Sequence, residues 1–403
     1  MTSGIDLRYV DESVRPQDYL FRHVNGRWLD EAEIPEDKAR YGEFIRLREQ
    51  AEKEVHAIIE RVAASSPAPG TDEQKIADLY RDFMDADRVE SLGVGPLRPL
   101  LEQVDAVDDT TTLLHTLGVL ERGGVGGLFG SFVSTDQGDS SRYVLYLNQG
   151  GLGLPDESYY SDERFAQVRT DYVEHVARML TLAEVGGADE AHRVMEVETR
   201  LATAHWNRVA SRDATATYNL LTSDALNELA PDVAWPEWLA GLQAPGSAVD
   251  EVVVRQPSFL RALSSELGEV PLETWQTWLR WRVVHSAAPY LSEAFVAENF
   301  DFYGRTLSGV PSIRERWKRG VSIVESVLGE AGRLYVAEHF PPESKARMQH
   351  LVDTLVEAYR ERISSLPWMT EQTRNRALEK LEAFTPKIGY PDRWRDYSRL
   401  TIE

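Results

Sequence analysis

Cysteine is missing from this 403-residue sequence. Its absence excludes a disulfide framework, a thiolate nucleophile and a cysteine-ligated zinc site. No stretch approaches the ~18 consecutive apolar residues needed to cross a bilayer. The first residues, Met1–Arg8, carry neither the basic nor the apolar segment of a secretory leader. Cytoplasmic residence is therefore the default expectation, and leaderless export would be compatible with the same absences.

Positive charge is scarce as well. The 44 lysines and arginines face 66 aspartates and glutamates, which gives a formal net charge of -22. A surface this acidic repels phosphate backbones and anionic lipid headgroups. We therefore expect neither a nucleic-acid partner nor a membrane partner.

Three catalytic and binding motifs are also missing. None of the nine histidines belongs to H-E-x-x-H, in which two histidines bind zinc and the glutamate is the general base. No nucleophile elbow G-x-S-x-G occurs. The glycine-rich stretch 123–127 precedes a predicted strand and is followed by no Gly-Lys-Ser/Thr, so it indicates a tight bend and not a phosphate-binding loop.

The remaining composition, with 42% apolar and 27% charged residues, is typical of a soluble globular protein and not of a disordered one. Apolar residues from Phe44 to Val62 recur at helical spacing, which predicts a long helix over 43–63 with one buried face. Two β-rich runs, Leu128–Thr135 and Arg142–Asn148, predict a hairpin. Further helices are predicted near 19–29, from Thr71 onward, and at 161–185, 189–210, 222–230, 258–266, 272–300, 310–338, 343–365 and 370–384.

Several segments together resemble the neprilysin and endothelin-converting-enzyme family of zinc metallopeptidases, in its bacterial, cysteine-free form. The opening block consists of Arg15-Pro-Gln-Asp-Tyr-Leu-Phe-Arg-His-Val-Asn-Gly-Arg-Trp-Leu29 and Ile34-Pro-Glu-Asp-Lys-Ala-Arg-Tyr-Gly-Glu-Phe-Ile-Arg-Leu-Arg48. In the family's order follow Leu152-Gly-Leu-Pro-Asp-Glu-Ser-Tyr-Tyr, Val252-Val-Val-Arg-Gln-Pro, Arg333-Leu-Tyr-Val-Ala-Glu-His-Phe, Leu366-Pro-Trp-Met-Thr-Glu-Gln-Thr-Arg and Lys387-Ile-Gly-Tyr-Pro-Asp.

The resemblance implies the family's N-terminal, lid-bearing part. The expected fold is mostly α, a large multi-helix lid domain with one small β-hairpin, lacking the thermolysin-like zinc domain. Residues 1–63 would bridge to the catalytic domain, 64–366 would form the lid, and 367–403 would lead back toward the absent domain. Tyr397, Leu400 and Ile402 alternate near the end, as though awaiting a partner surface.

The resemblance also implies a substrate-binding set, Arg40, Phe44 and Arg48. These residues are four apart, so on a helix they would share one face. A guanidinium suits a peptide carboxylate, and a phenylalanine suits an apolar pocket. Ile45 stands where neprilysin has an acidic residue. The plainer interpretation makes Phe44 a core residue and pairs the arginines with Glu36, Asp37 or Glu52 on the surface.

Other candidates have structural interpretations that we favour. His192 with Glu196, and His350 with Asp353, have metal-ligand spacing, but each lacks the third ligand of a catalytic zinc site. Five tryptophans at helical spacing are more typical of a core than of sugar stacking. They are Trp235, Trp238, Trp275, Trp278 and Trp281.

We therefore predict the chamber-forming half of a zinc metalloendopeptidase that acts on peptides. A second polypeptide, or a missing C-terminal half, would supply H-E-x-x-H and hold the zinc, so that the chain alone would be inactive and would work as a heterodimer. The alternative is a non-catalytic helical protein that binds peptides or regulates another protein. An unrelated hydrolase using carboxylate pairs is a third hypothesis, supported only by abundant acidic residues.

Overall fold

Eighteen α-helices and four short strands account for most of residues 6–400, the part of the chain that the computed structural model describes. The chain divides into two compact units. The terminal unit comprises residues 6–85 and 314–400, and the central unit comprises residues 86–313. These boundaries differ from the predicted segment edges at 63/64 and 366/367, and the roles assigned to those segments stay predictions.

The described residues of the terminal unit form helices and connecting loops, without a strand. Its α-helices are α1 (Pro16–Glu31), α2 (Glu43–Ala64), α3 (Asp72–Met84), α15 (Arg316–Val327), α16 (Glu330–His339), α17 (Pro342–Ser365) and α18 (Glu371–Glu382). The N-cap of α3 is Thr71, whose hydroxyl accepts a hydrogen bond from the backbone N–H of Gln74 at 3.2 Å.

The core of the terminal unit lies where α2, α3, α15 and α16 meet. Its buried residues are Val55, Ile59, Ile76, Tyr80, Val321, Val324, Leu328 and Ala331. Tyr397 packs against this core, and its hydroxyl accepts a hydrogen bond from the N–H of Gly329 at 3.1 Å. The expectation of a partner surface is therefore wrong for Tyr397, which packing within the chain partly buries, whereas Leu400 is exposed and its partner stays a prediction. Ile402 lies outside the described residues.

The central unit places its helices around one small sheet. Its α-helices are α4 (Ala86–Leu92), α5 (Arg98–Asp105), α6 (Thr110–Arg122), α7 (Ser158–Ser161), α8 (Ala166–Leu182), α9 (Ala188–Ala204), α10 (Ser223–Leu229), α11 (Trp235–Leu242), α12 (Pro257–Glu269), α13 (Leu272–Ala287) and α14 (Glu293–Phe300), which a π-helical turn (Asp301–Thr306) continues. Its strands are β1 (Phe129–Thr135), β2 (Tyr143–Gln149), β3 (Leu220–Thr222) and β4 (Glu251–Val254).

The sheet has the order β1-β2-β4-β3. β1 and β2 form the predicted antiparallel hairpin, β4 joins β2 in parallel, and β3 pairs antiparallel with β4. The mostly helical class is thus confirmed, and the hairpin is one half of a four-stranded sheet.

The five tryptophans are core residues, as predicted: each exposes 2% of its surface or less. Two helices of the central unit, α6 and α11, cross closely because both carry a glycine at the crossing. A Cβ on Gly118 would lie 2.2 Å from the carbonyl oxygen of Trp238, and one on Gly241 would lie 2.1 Å from that of His115. The backbones therefore approach to a distance that only glycine permits.

None of the described helices is both long enough and apolar enough to span a bilayer.

Candidate functional site

The first turn of α2 displays its apolar side chains instead of burying them. Phe44 is 89% exposed and Leu47 is 52% exposed, whereas Ile58 and Ile59, on the same helix, are buried. The prediction that one face of this helix is buried along its whole length is therefore wrong for the first turn. The interpretation of Phe44 as a core residue is wrong as well.

Only two of the three predicted substrate-binding residues lie on the helix. α2 begins at Glu43, so Phe44 and Arg48 are one turn apart on the same face, both exposed. Arg40 lies in the irregular segment before the helix and is also exposed. The shared-face argument therefore holds for Phe44 and Arg48 and does not extend to Arg40.

The segment that carries Arg40 is tethered on both sides to one helical carboxylate. Lys38 forms an ion pair with Glu49 at 3.2 Å, and the Tyr41 hydroxyl donates to Glu49 at 3.4 Å. Asp37 adds ion pairs with Lys38 at 3.2 Å and with Lys318 at 3.3 Å. These contacts hold the backbone next to the first turn of α2 without using Arg40 itself.

The electrostatics strengthen this tether. Burial raises the pKa of Asp37, but the hydrogen bonds from Lys38 and Lys318 outweigh it, so the pKa lies below its ordinary value. The pKa of Lys318 is raised because its bonds to Glu315 and Asp37 outweigh the effect of burial. Both groups are therefore charged at neutral pH.

Two of the surface partners proposed for the arginines are bound by other cations. Asp37 pairs with the two lysines, and Glu52 pairs with Arg314. Arg48 lies near Glu325, where its charge opposes the upward shift that burial and Glu52 give the pKa of Glu325. The arrangement suits binding of an anion at Arg48 beside an apolar group at Phe44.

A metal site is not formed by the residues of this chain that the structure describes. Within residues 6–400, no three histidine, aspartate or glutamate side chains are grouped so that they could hold an ion. His192 and Glu196 are both exposed on α9, and Asp353 accepts a hydrogen bond from Gln349 at 3.0 Å. These residues do not fit a catalytic zinc site, which needs three convergent ligands.

A second constellation, which sequence reasoning missed, lies in the central unit. A cavity of about 460 Å³ is lined by Gly126–Gly127, the end of β2, the loop 150–157, the segment 205–211, and Arg282 of α13. Arg282 donates through Nε to the carbonyl of Gly126 at 3.0 Å and stacks over Trp278 at 5.5 Å. Arg282 itself could have indicated this site from the sequence, because it lies among the tryptophans of α13. A charged residue in a helix that is largely buried needs a polar partner.

Behind the cavity lies a fully buried carboxyl group, Glu198. It accepts hydrogen bonds from the hydroxyls of Tyr160 at 2.6 Å and Tyr172 at 3.0 Å, and from the N–H of Gly153 at 3.1 Å. Burial raises the pKa of Glu198, while these bonds and the charge of Arg282 act in the opposite direction. The network joins α7, α8 and α9 through one acceptor.

Comparison with known proteins points to one family. The model of peptidase family M13 matches residues 16–391. The chain is 28% identical to neprilysin-3 of Drosophila melanogaster over 96% of its own length and 52% of that protein, and 28% identical to endothelin-converting enzyme 1 of Rattus norvegicus over 97% and 53%.

Solved structures agree with this match. The inhibitor complex of the zinc metalloprotease ZMP1 of Mycobacterium tuberculosis is 49% identical, with a TM-score of 0.93 over 100% of this chain and 61% of that one. PEPO of Lactobacillus rhamnosis, at 22% identity, has the same fold with a TM-score of 0.81 over 96% of this chain and 61% of that one. The chain thus spans about half the length of the curated relatives and 61% of these two structures.

Proposed function

We infer a function from the premise that this chain belongs to peptidase family M13, the neprilysin family of zinc metallopeptidases. We propose that the chain forms the lid-bearing, chamber-forming part of a zinc metalloendopeptidase that acts on peptides. The matching segment covers about half of each curated relative, which supports a division of labour with sequence outside this chain. The zinc and its H-E-x-x-H would belong to a second polypeptide or to a C-terminal half.

The observation that carries the proposal is an apolar stripe on α17. Met348, Leu351, Leu355 and Tyr359 follow one face of this helix at spacings of three and four residues, and each is between 44% and 62% exposed. α17 has no fully buried residue along its length. An exposed apolar face of this kind is typical of a surface that another part of a protein covers.

The substrate role falls to the first turn of α2 and the segment before it. In the assembled enzyme, Arg40 and Arg48 would hold the carboxylate or the primed side of a peptide, and Phe44 would line an apolar subsite. The tether of Lys38 and Tyr41 to Glu49 supports this role, because a fixed backbone lowers the entropic cost of binding.

The first experiment measures hydrolysis of an internally quenched peptide. The purified chain alone should show no cleavage. Addition of a polypeptide that carries the family's H-E-x-x-H half should produce activity that a zinc chelator removes and added zinc restores. Chelator-sensitive cleavage by this chain alone would contradict the proposal.

The second experiment tests the stripe. Replacing Leu351 and Leu355 together by glutamate should leave the chain folded, because both side chains are about half exposed, and should weaken association at least tenfold. The matched control replaces His350 and Thr354 together by glutamate, which adds two carboxylates at exposed positions of α17 with the same spacing of four residues. Sedimentation velocity with and without the H-E-x-x-H half gives the readout, and equal association of all three proteins would contradict the role of the stripe.

The third experiment tests the substrate residues in the assembled enzyme. Phe44→Ala and Arg48→Gln should each raise KM more than they lower kcat, since both groups bind and neither reacts. Arg46→Gln is the control, because Arg46 is exposed on the same turn and already pairs with Glu43. An unchanged KM in both variants would exclude a substrate role for this turn.

The non-catalytic alternative is tested by the same mixtures. A peptide-binding or regulatory protein would stay monomeric beside the H-E-x-x-H half and would bind peptide without hydrolysing it.

A further inference from the structure

The cavity beside Arg282 brings together segments that the proposed function leaves unused. Gly126 and Gly127, from the glycine-rich stretch 123–127, line the cavity, and so do Leu152 and residues 154–157. Its volume of about 460 Å³ falls within the ordinary range of small-molecule sites. All of these residues belong to the central unit.

The walls of the cavity are held in place by paired hydrogen bonds. The Gln149 side chain donates to the carbonyl of Trp206 at 2.9 Å and accepts from its N–H at 2.8 Å. His205 Nε2 lies 2.9 Å from the carbonyl oxygen of Gly150. Burial lowers the pKa of His205 to about 4, so the ring is neutral at pH 7 and donates this bond. The cavity is therefore preorganised before any ligand arrives.

The guanidinium of Arg282 has more N–H donors than the hydrogen bonds it makes within the protein. Nε binds the carbonyl of Gly126 at 3.0 Å, and Nη1 makes a long contact of 3.4 Å with the carbonyl of Leu152. A guanidinium carries five N–H donors, so these two bonds leave three. The positive charge of Arg282 also acts on the interior Glu198, whose pKa it lowers.

The remaining charges of the lining narrow the ligand class. Arg208 forms an ion pair with Asp156 at 3.5 Å, so these two groups largely neutralise each other. Glu157 also lines the cavity, and its negative charge opposes binding of any anion, of a dianion about twice as strongly as of a monoanion. The hydroxyl of Ser211, another lining group, is buried without a hydrogen-bond partner. The lining thus offers one guanidinium and one hydroxyl to a single negative charge.

We propose that this cavity is a binding site for a monocarboxylate, held by Arg282 with Ser211 as a further donor. The carboxylate could belong to a small organic acid or to the C-terminus of a peptide, and both present the same planar acceptor to a guanidinium. The site is independent of the proposed peptidase function, because it needs neither zinc nor a second polypeptide.

Binding can be measured on the full chain by ¹⁹F NMR after labelling with 5-fluorotryptophan, since Trp206 lines the cavity and Trp206→Phe identifies its signal. The probes are acetate, N-acetyl-alanyl-phenylalanine and the C-terminal amide of that dipeptide. We expect a saturable shift with the acids and at least about tenfold weaker binding of the amide. Tighter binding of the dipeptide than of acetate identifies a peptide terminus, and equal binding identifies a small acid.

Variants of the cavity test whether Arg282 binds the carboxylate. Arg282→Gln should weaken acid binding at least about tenfold, while the matched control Arg280→Gln should not, because Arg280 pairs with Asp105 at 2.7 Å and does not line the cavity. If Arg282→Gln fails to fold, Ser211→Phe fills the cavity and leaves Arg282 intact, and this variant should abolish binding. Equal affinity for acid and amide, absence of any saturable shift, or undiminished binding by these variants would overturn the proposal.

Discussion

Phe44 shows that an apolar side chain is not necessarily buried. With 89% of its surface exposed, it gains almost nothing from folding, whereas Ile59 on the same helix is fully buried. A large aromatic residue left in water at the start of a helix has a cost for solubility and no compensating packing. Binding of another molecule would supply that compensation.

The stability of the chain should therefore be insensitive to Phe44. We expect Phe44→Ala to change the free energy of unfolding by less than about 0.5 kcal/mol, and Ile59→Ala to reduce it by about 2–5 kcal/mol. Urea unfolding followed by circular dichroism measures both. A loss comparable to that of Ile59→Ala would mean that Phe44 is packed in solution.

Buried histidines should make the protein less stable in mild acid. Burial, with help from Arg282 and His175, lowers the pKa of His285 to about 3. His285 binds a proton near pH 6.5 in the unfolded chain but only near pH 3 in the folded chain. The stability that the neutral ring contributes to the folded protein is therefore fully present above pH 6.5 and is lost as the pH falls toward 3. Between pH 7 and pH 5 the loss amounts to about 2 kcal/mol for this residue.

The variant His285→Phe removes the titrating group and keeps a ring packed against Trp281 and Tyr303. It therefore isolates the part of the pH dependence of unfolding that is due to His285. Its unfolding free energy should fall by about 2 kcal/mol less than that of the parent between pH 7 and pH 5. His192→Gln, at an exposed position, should follow the parent. Identical pH dependence of all three proteins would show that His285 does not titrate on unfolding.

Among the secondary-structure elements, the crossing of α6 and α11 is the least tolerant of change. Gly118→Ala would place a methyl group 2.2 Å from the carbonyl oxygen of Trp238, so the helices must separate. We expect a loss of stability of about 1–3 kcal/mol or more. Gly268→Ala, on α12 with nothing within 4 Å of the added carbon, should instead gain about 0.5–1 kcal/mol. Thermal melts of the two variants should shift in opposite directions.

Local patterns predicted the elements whose reasons are local. The long helix was expected over 43–63 and spans Glu43–Ala64, and the hairpin strands were expected within two residues of their ends. The helix expected over 272–300 is broken, because Pro289 lies in a 3₁₀ turn (Ala288–Tyr290) between α13 and α14. The helix expected over 310–338 is interrupted at Leu328–Gly329, between α15 and α16.

Elements that depend on distant partners escaped prediction. The three valines of Glu251–Val254 favour a strand, but its parallel pairing with β2, roughly 100 residues earlier, could not be predicted from those four residues. No helices were assigned to residues 86–122, where the structure has α4, α5 and α6. In the candidate site the sequence indicated the residue types, but the start of α2 at Glu43 separates Arg40 from the helical face.

For the molecule as a whole, the central unit has the properties of an independent domain. It is continuous in sequence from 86 to 313 and contains its own large core, whereas the terminal unit is assembled from both ends of the chain. We expect residues 86–313, expressed alone, to fold and unfold cooperatively. Near-ultraviolet circular dichroism of its buried tryptophans and a single urea transition would verify this, and a fragment without a transition would contradict it.

The parallel pairing of Leu145 with Val252 also imposes a delay during translation, because β2 is made long before the strand it pairs with. After β2 has left the ribosome, about 100 more residues must be made before β4 emerges, which takes roughly 5–20 s at bacterial and eukaryotic elongation rates. Throughout that interval one flank of the nascent hairpin has unpaired amides that any neighbouring strand could capture. Newly made chains should thus depend on holdase chaperones most strongly while this stretch is being synthesised.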